Sequence, residues 1–337
     1  MLDRRNFIKS MTIAGAGLGL TRHKSYAKAS RSQEPIPVGM IGLDTSHCPA
    51  FTKLINYPES EEFSGFKVVA AYPYGSRTIE SSYSRIPRYI EEVKEMGVEI
   101  TDSIAELLNR VDVVLLETND GNPRLKQSLQ VIRAGKTVFL DKPIAASLED
   151  VISIMEASKE YNVPIFSSSR FRYIHPAQAI RYENRIGTVM GASTYSAAPR
   201  DETHPDLYWY GIHSVEGLFS VMGPGCRSVT RFETDNADVV TGIWEDGRIG
   251  TIRGIREGRR GAGGTVFGSD RIETLEDLER YETLMVNILE FFRTGISPVK
   301  MEETLEIYAF MEAADESKRQ GGAPVTLDYV ISKARKT

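Results

Sequence analysis

Ala134-Gly135-Lys136-Thr137-Val138-Phe139-Leu140-Asp141-Lys142-Pro143 is the stretch that decides the fold. Its apolar run, Val138 to Leu140, ends in an acid, a lysine and a proline, as a buried strand does when it delivers polar groups to a cleft. Pro143 lacks a backbone donor and has a fixed φ, so the strand stops at Lys142. A lysine held at such a strand end can donate a hydrogen bond or, if burial tunes it, transfer a proton. A plain turn carrying a solvated lysine is the competing reading.

Working outward, apolar runs alternate with helical patterns. Strands are predicted at 36–43, 66–72, 111–117 and 163–167, with helices at 49–57, 90–96, 103–108, 123–134 and 148–161. This alternation calls for a parallel, doubly wound α/β sheet of Rossmann type. Past Ser169 the texture changes to strand-like segments at 188–198, 228–235, 239–244, 250–256 and 264–267, joined by Gly and Asp turns. A second, α+β domain with an open, mainly antiparallel sheet is expected there, closed by helices at about 278–293 and 302–318. The expected division is a signal segment at 1–29, a first domain at 35–165 and a second at 166–337.

The first residues read as an export signal rather than as fold. Arg4-Arg5 precedes a short apolar, glycine-containing run from Met11 to Leu20, and Ala27-Lys28-Ala29 offers small residues at a cleavage spacing. The run is too short for a permanent membrane anchor. A twin-arginine route, with its export machinery as partner and a soluble periplasmic product, is the expectation. A net charge of −5 without a basic, aromatic-interleaved stripe argues against a nucleic-acid partner. Cys48 and Cys226 are too few for a disulfide framework and are read as buried free thiols.

The first strand–turn–helix is where a dinucleotide would sit, its pyrophosphate on free helix amides. This turn reads Gly42-Leu43-Asp44-Thr45-Ser46-His47, so one glycine remains of the usual fingerprint. Asp44 would repel a phosphate unless its side chain caps the helix; Thr45 and Ser46 can supply hydroxyl donors. The second strand runs into Tyr72-Pro73-Tyr74-Gly75-Ser76-Arg77, with no acid for ribose hydroxyls, and Ser76 and Arg77 suit a 2′-phosphate. Thr118 and Asn119 end the strand neighbouring Lys142 and can bind a ribose or nicotinamide edge, while Glu117 is read as a buried carboxylate paired with Lys142. In the second half, His204 to Glu216 concentrates histidines and aromatic residues, and His213 opens a helical run. A histidine close to a lysine makes a proton-transfer pair for carbinol oxidation. His204, His213, Glu216 and His47 are of metal-ligand type but have no recognised spacing, so no metal centre is expected.

Assembled, these residues resemble the glucose–fructose oxidoreductase / inositol dehydrogenase / MocA (Gfo/Idh/MocA) family. The motifs that carry the resemblance are Asp141-Lys142-Pro143, Gly211-Ile212-His213, Ser169-Arg170-Phe171-Arg172 and the terminal helix around Phe310-Met311-Glu312-Ala313-Ala314. The departures are Asp44 to His47 at the glycine turn, Trp209 four residues before the histidine, and Asn122-Pro123-Arg124 where a histidine is usual. The resemblance implies an oxidoreductase using NAD or NADP on a sugar or polyol, with Lys142 holding the hydroxyl and His213 handling its proton. Gly42, Asp44, Thr45, Ser46, His47, Ser76, Arg77, Thr118, Asn119, Asp141, Lys142 and Pro143 would line the cofactor. Arg170, Arg172, His204 and Tyr210 would line the substrate. Transient oxidation that cleaves a glycoside, and a non-catalytic sugar-binding module, are the alternatives. An exposed sheet face makes a homo-oligomer the expectation.

Overall fold

Six parallel strands in the order β3-β2-β1-β4-β5-β6 build the first layer of the computed structural model, which describes residues 34–276 and 281–336. The expected signal segment, 1–29, lies outside the described residues. The strands are β1 (Ile36–Ile41), β2 (Phe66–Tyr72), β3 (Glu99–Ile100), β4 (Val113–Leu116), β5 (Thr137–Leu140) and β6 (Ile165–Phe166). Every residue of β4 is buried, as a central parallel strand covered on both faces requires. Between the strands run α1 (His47–Asn56), α2 (Glu80–Tyr83), α3 (Ile86–Glu95), α4 (Ile104–Leu108), α5 (Arg124–Arg133) and α6 (Leu148–Tyr161). Local chemistry sets several of their ends. Ser103 and Ser147 cap α4 and α6 by accepting the amides of Glu106 and Asp150, and Asn162, left-handed at φ 52°, stops α6.

The second layer is a seven-stranded sheet in the order β12-β11-β7-β10-β9-β8-β13. Its strands are β7 (Val189–Ala197), β8 (Cys226–Glu233), β9 (Ala237–Trp244), β10 (Ile249–Ile255), β11 (Ala262–Gly268), β12 (Ile272–Glu276) and β13 (Val325–Thr326). All its pairs are antiparallel except β7 with β10, so the mainly antiparallel expectation holds. Helices α7 (His175–Glu183), α8 (Ile212–Met222), α10 (Met301–Arg319) and α11 (Leu327–Ala334) belong to this half. Alternate residues such as Ala192, Val240 and Ile252 are buried with α8 and α10 in one core. No helix of the described residues is long and apolar enough to cross a membrane. Cys48 and Cys226 are free and buried.

Helix α9 (Glu282–Thr294) departs from a division of the chain at residue 165. Its Leu284, Met285, Ile288, Leu289 and Phe291 pack with Val38, Phe139 and Phe166 of the first sheet and with Phe51 of α1. The chain therefore returns to its first half before building α10. Burying those side chains contributes about 1.5–3 kcal/mol each, which explains why a helix late in sequence joins the early core.

Candidate functional site

Parallel register places β4 and β5 side by side, Leu116 opposite Leu140, so Glu117 and Asp141 emerge together at the carboxyl edge of the sheet. This edge is where open α/β sheets bind ligands. Lys142 follows Asp141, is only 7% exposed, and its peptide bond to Pro143 is cis. Its Nζ lies 5.2 Å from the centre of the Tyr210 ring. Tyr210 in turn sits 5.9 Å, ring to ring, from His213. A five-residue π-helical segment, Leu207–Gly211, leads into α8 and presents both side chains. The two sequence-predicted catalytic groups thus both lie beside the Tyr210 ring.

His213 and Tyr210 line a cavity of about 370 Å³ with Arg170, Phe171, Ser196 and Ala262. The Nδ1 atom of His213 is 2.7 Å from Ser169 Oγ, which also accepts the Phe171 amide. Ser169 is a positioning residue that sequence reasoning passed over, although it begins the Ser-Arg-Phe-Arg motif. Burial, and then the charge of Lys142, hold the His213 pKa well below its ordinary value, so the imidazole is neutral and able to take a proton.

Tyr74, Arg77, Asn122, Lys126, Gln127 and Thr203 line a larger open groove of about 990 Å³ at the ends of β2 and β4. Gln127 Oε1, at the groove wall, and Thr118 Oγ1, beside Gly42, are buried without a partner. Gly42 keeps the first glycine of the turn at φ +86°, and a Cβ there would stand 2.7 Å from the Thr118 backbone.

Other predicted residues are occupied differently. Asp44 does not cap α1. Its Oδ1 accepts the Asn119 amide at 2.9 Å and its Oδ2 the Ser76 amide at 3.1 Å, tying three strand-end loops together. Burial raises its pKa against the pull of those amides. Ser76 Oγ accepts the amides of Thr78 and Ile79, and Asn119 Nδ2 donates to Ser82, so both side chains serve the loops. Thr45 Oγ1 accepts the His47 amide, and Ser46 is exposed at the helix start.

Two expected substrate contacts are corrected. Arg172 is buried and ion-paired with Glu216 and with Glu303, the latter at 2.7 Å, because a guanidinium removed from water needs carboxylates around it. His204 is buried against Trp209, and its Nε2 accepts the Gly121 amide at 2.8 Å, clasping the second half onto the first. Glu117 is corrected too: its ion-pair partner is His47, not Lys142. Nδ1 of His47 lies 2.8 Å from Asp141 Oδ2 and 3.4 Å from Glu117 Oε2. Burial opposes a charge on His47, but Asp141 and Glu117 outweigh it and lift its pKa to about 10. Burial and the Asp141 charge push Glu117 up to about 7.

Residues 36–168 match the family described as oxidoreductase family, NAD-binding Rossmann fold, GFO_IDH_MocA. This match, to the Gfo/Idh/MocA family, covers the first domain of the chain. An uncharacterized oxidoreductase of Streptococcus pneumoniae is 29% identical over 129 residues, covering 37% of this chain and 35% of that protein. A 1,5-anhydro-D-fructose reductase of Ensifer adhaerens is 34% identical over 107 residues, covering 30% and 32%. The chain thus matches about a third of the length of these relatives. The fold likeness extends beyond the Gfo/Idh/MocA domain. The scyllo-inositol dehydrogenase of Lactobacillus casei, solved with NAD(H) and scyllo-inositol, superposes with a TM-score of 0.70 at 13% identity. That superposition covers 87% of this chain and 99% of the other, so both halves share the architecture.

Proposed function

We propose that this protein is an NAD(P)-dependent oxidoreductase that removes hydride from a sugar or polyol carbinol. The observation that carries the reading is the convergence of Lys142, Tyr210 and a neutral His213 beside a cavity about the size of one sugar ring. The dinucleotide fits the residues present: the 990 Å³ groove and the orphan Gln127 oxygen would receive it, with Arg77 and Lys126 near its adenosine end. When bound, the nicotinamide supplies the hydride acceptor. Lys142 donates a hydrogen bond to the reacting hydroxyl and orients it. His213, giving its Nδ1–H to Ser169, keeps a lone pair on Nε2 for the hydroxyl proton. Arg170 and Tyr210 hold the remaining hydroxyls and one face of the ring.

The twin-arginine pattern supports export to the periplasm through the twin-arginine machinery with the cofactor already in place. The outer face of the second sheet exposes Tyr195, Ile249 and Phe267, which supports self-association of the chain. Mass and absorbance analysis of the folded, exported protein tests the cofactor. Retained nucleotide, or its uptake on titration, is expected; neither being detectable would reject the reading.

A further inference from the structure

The His47, Glu117 and Asp141 cluster has no part in the chemistry above. We infer that these three side chains form a site for one divalent transition-metal ion, of the Zn2+ or Mn2+ class, beneath the interdomain groove. The inference stands apart from the redox reading and needs no dinucleotide.

Three elements converge on the site: the first residue of α1 and the residues that directly follow β4 and β5. They offer one imidazole nitrogen and two carboxylate oxygens, all within 4.8 Å of one another. A mixed nitrogen and oxygen donor set suits Zn2+ or Mn2+ and leaves Ca2+ poorly served. Metal–ligand bonds of roughly 2.0–2.2 Å separate neighbouring ligands by about 3–3.5 Å. The His47–Glu117 distance of 3.4 Å meets that spacing, and the His47–Asp141 distance of 2.8 Å needs only a slight opening.

The independent observation is unmet bonding inside the site. Glu117 is 0% exposed, yet neither of its oxygens has a hydrogen-bond partner. Asp141 Oδ2 and His47 Nδ1, 2.8 Å apart, have no other partner. The other oxygen of Asp141 is satisfied by the Lys142 amide, so a single lone-pair face turns inward. Arg124, the buried guanidinium nearby, donates to the carbonyls of Thr118 and Asp141 rather than to either carboxylate. A buried carboxylate that no hydrogen bond satisfies is costly, and a cation among these atoms lowers that cost. A protonated His47 reaches Glu117 Oε2 only at 3.4 Å and leaves Oε1 without a partner. The imidazole is also fixed in place, stacked on Phe51 at 5.0 Å and edge-on to Tyr281 at 4.8 Å, as outer contacts fix metal-binding histidines.

Full-length protein stripped with chelator and then offered ZnCl2 or MnCl2 gives the test. After desalting, elemental mass spectrometry should find one ion per chain, and the thermal midpoint should rise relative to the chelated protein. Glu117→Gln and His47→Gln should each lower the bound metal at least tenfold and remove the thermal response. No retained metal and no midpoint shift in the wild-type protein would overturn the inference, whether or not a variant folds. Equal metal retention in folded Glu117→Gln would overturn it as well.

Discussion

Asp44 Oδ1 accepts the backbone amide of Asn119 at 2.9 Å, across 75 residues of sequence. Where a dinucleotide-binding turn ordinarily has glycine, this chain has a carboxylate turned away from the helix start and locked onto neighbouring strand ends. Asp44→Ala leaves two buried amides unpaired, at about 1–3 kcal/mol for each. Chemical denaturation should register that loss, with Asp44→Asn losing less because one acceptor oxygen remains. A wild-type midpoint in Asp44→Ala would refute the structural role.

Arg172 and Arg170 should separate cleanly. Arg172→Ala strands Glu216 and Glu303 without their cation and should destabilise the fold by about 3–5 kcal/mol. Arg172→Met should recover part of that loss, and wherever it folds its KM should match wild type. Arg170→Ala, at the cavity wall, should raise KM with little change in unfolding midpoint. A raised KM in folded Arg172→Met would restore it to the substrate site.

The depressed pKa of His213 fixes the sign of the pH dependence. Its neutral form is the proton acceptor, so activity should stay level as pH falls through about 6.5, the ordinary histidine value, and decline only below it. The same group binds a proton more readily when the chain is unfolded. Its contribution to stability is therefore complete above about pH 6.5 and is lost as pH falls toward the folded-state value. Lys142→Ala removes a neighbouring positive charge, so the acid limb of its residual rate should move to higher pH. An unmoved limb would show that the lysine and histidine do not share a site.

Much of this was legible in the sequence, and the reasons are local. The unbroken apolar run of β4, the start of α6 at Leu148 and the Lys142-Pro143 stop each depend on a few residues, and all lie where the sequence pattern puts them. What stayed hidden depends on distant partners. Nothing near Arg172 signals Glu303, 131 residues away, and nothing in α9 says that its apolar face belongs to the first sheet. His47 reads as part of a phosphate turn and as a ligand type beside His204, His213 and Glu216, and nothing near it signals Glu117 and Asp141. A clue was present nonetheless: two adjacent parallel strands both end in acids, Glu117 and Asp141, and such acids lie side by side.

Self-association should respond to the outer face of the second sheet. Phe267 is exposed there beside Tyr195 and Ile249, and Phe267→Asp places a charge on that apolar face. Light scattering after size exclusion should report a multimer for wild type and a smaller species for the variant, with the fold intact. A monomeric wild type would remove the proposed interface.

The central claim is most directly tested by single-turnover hydride transfer in protein loaded with NAD+ or NADP+ and mixed with a panel of polyols and sugars. Wild type should form reduced nicotinamide, while Lys142→Ala and His213→Asn, saturated with the same dinucleotide, should react roughly 10²–10⁴-fold more slowly. A folded wild type that takes up no dinucleotide, or variants that turn over at its rate, would contradict the account.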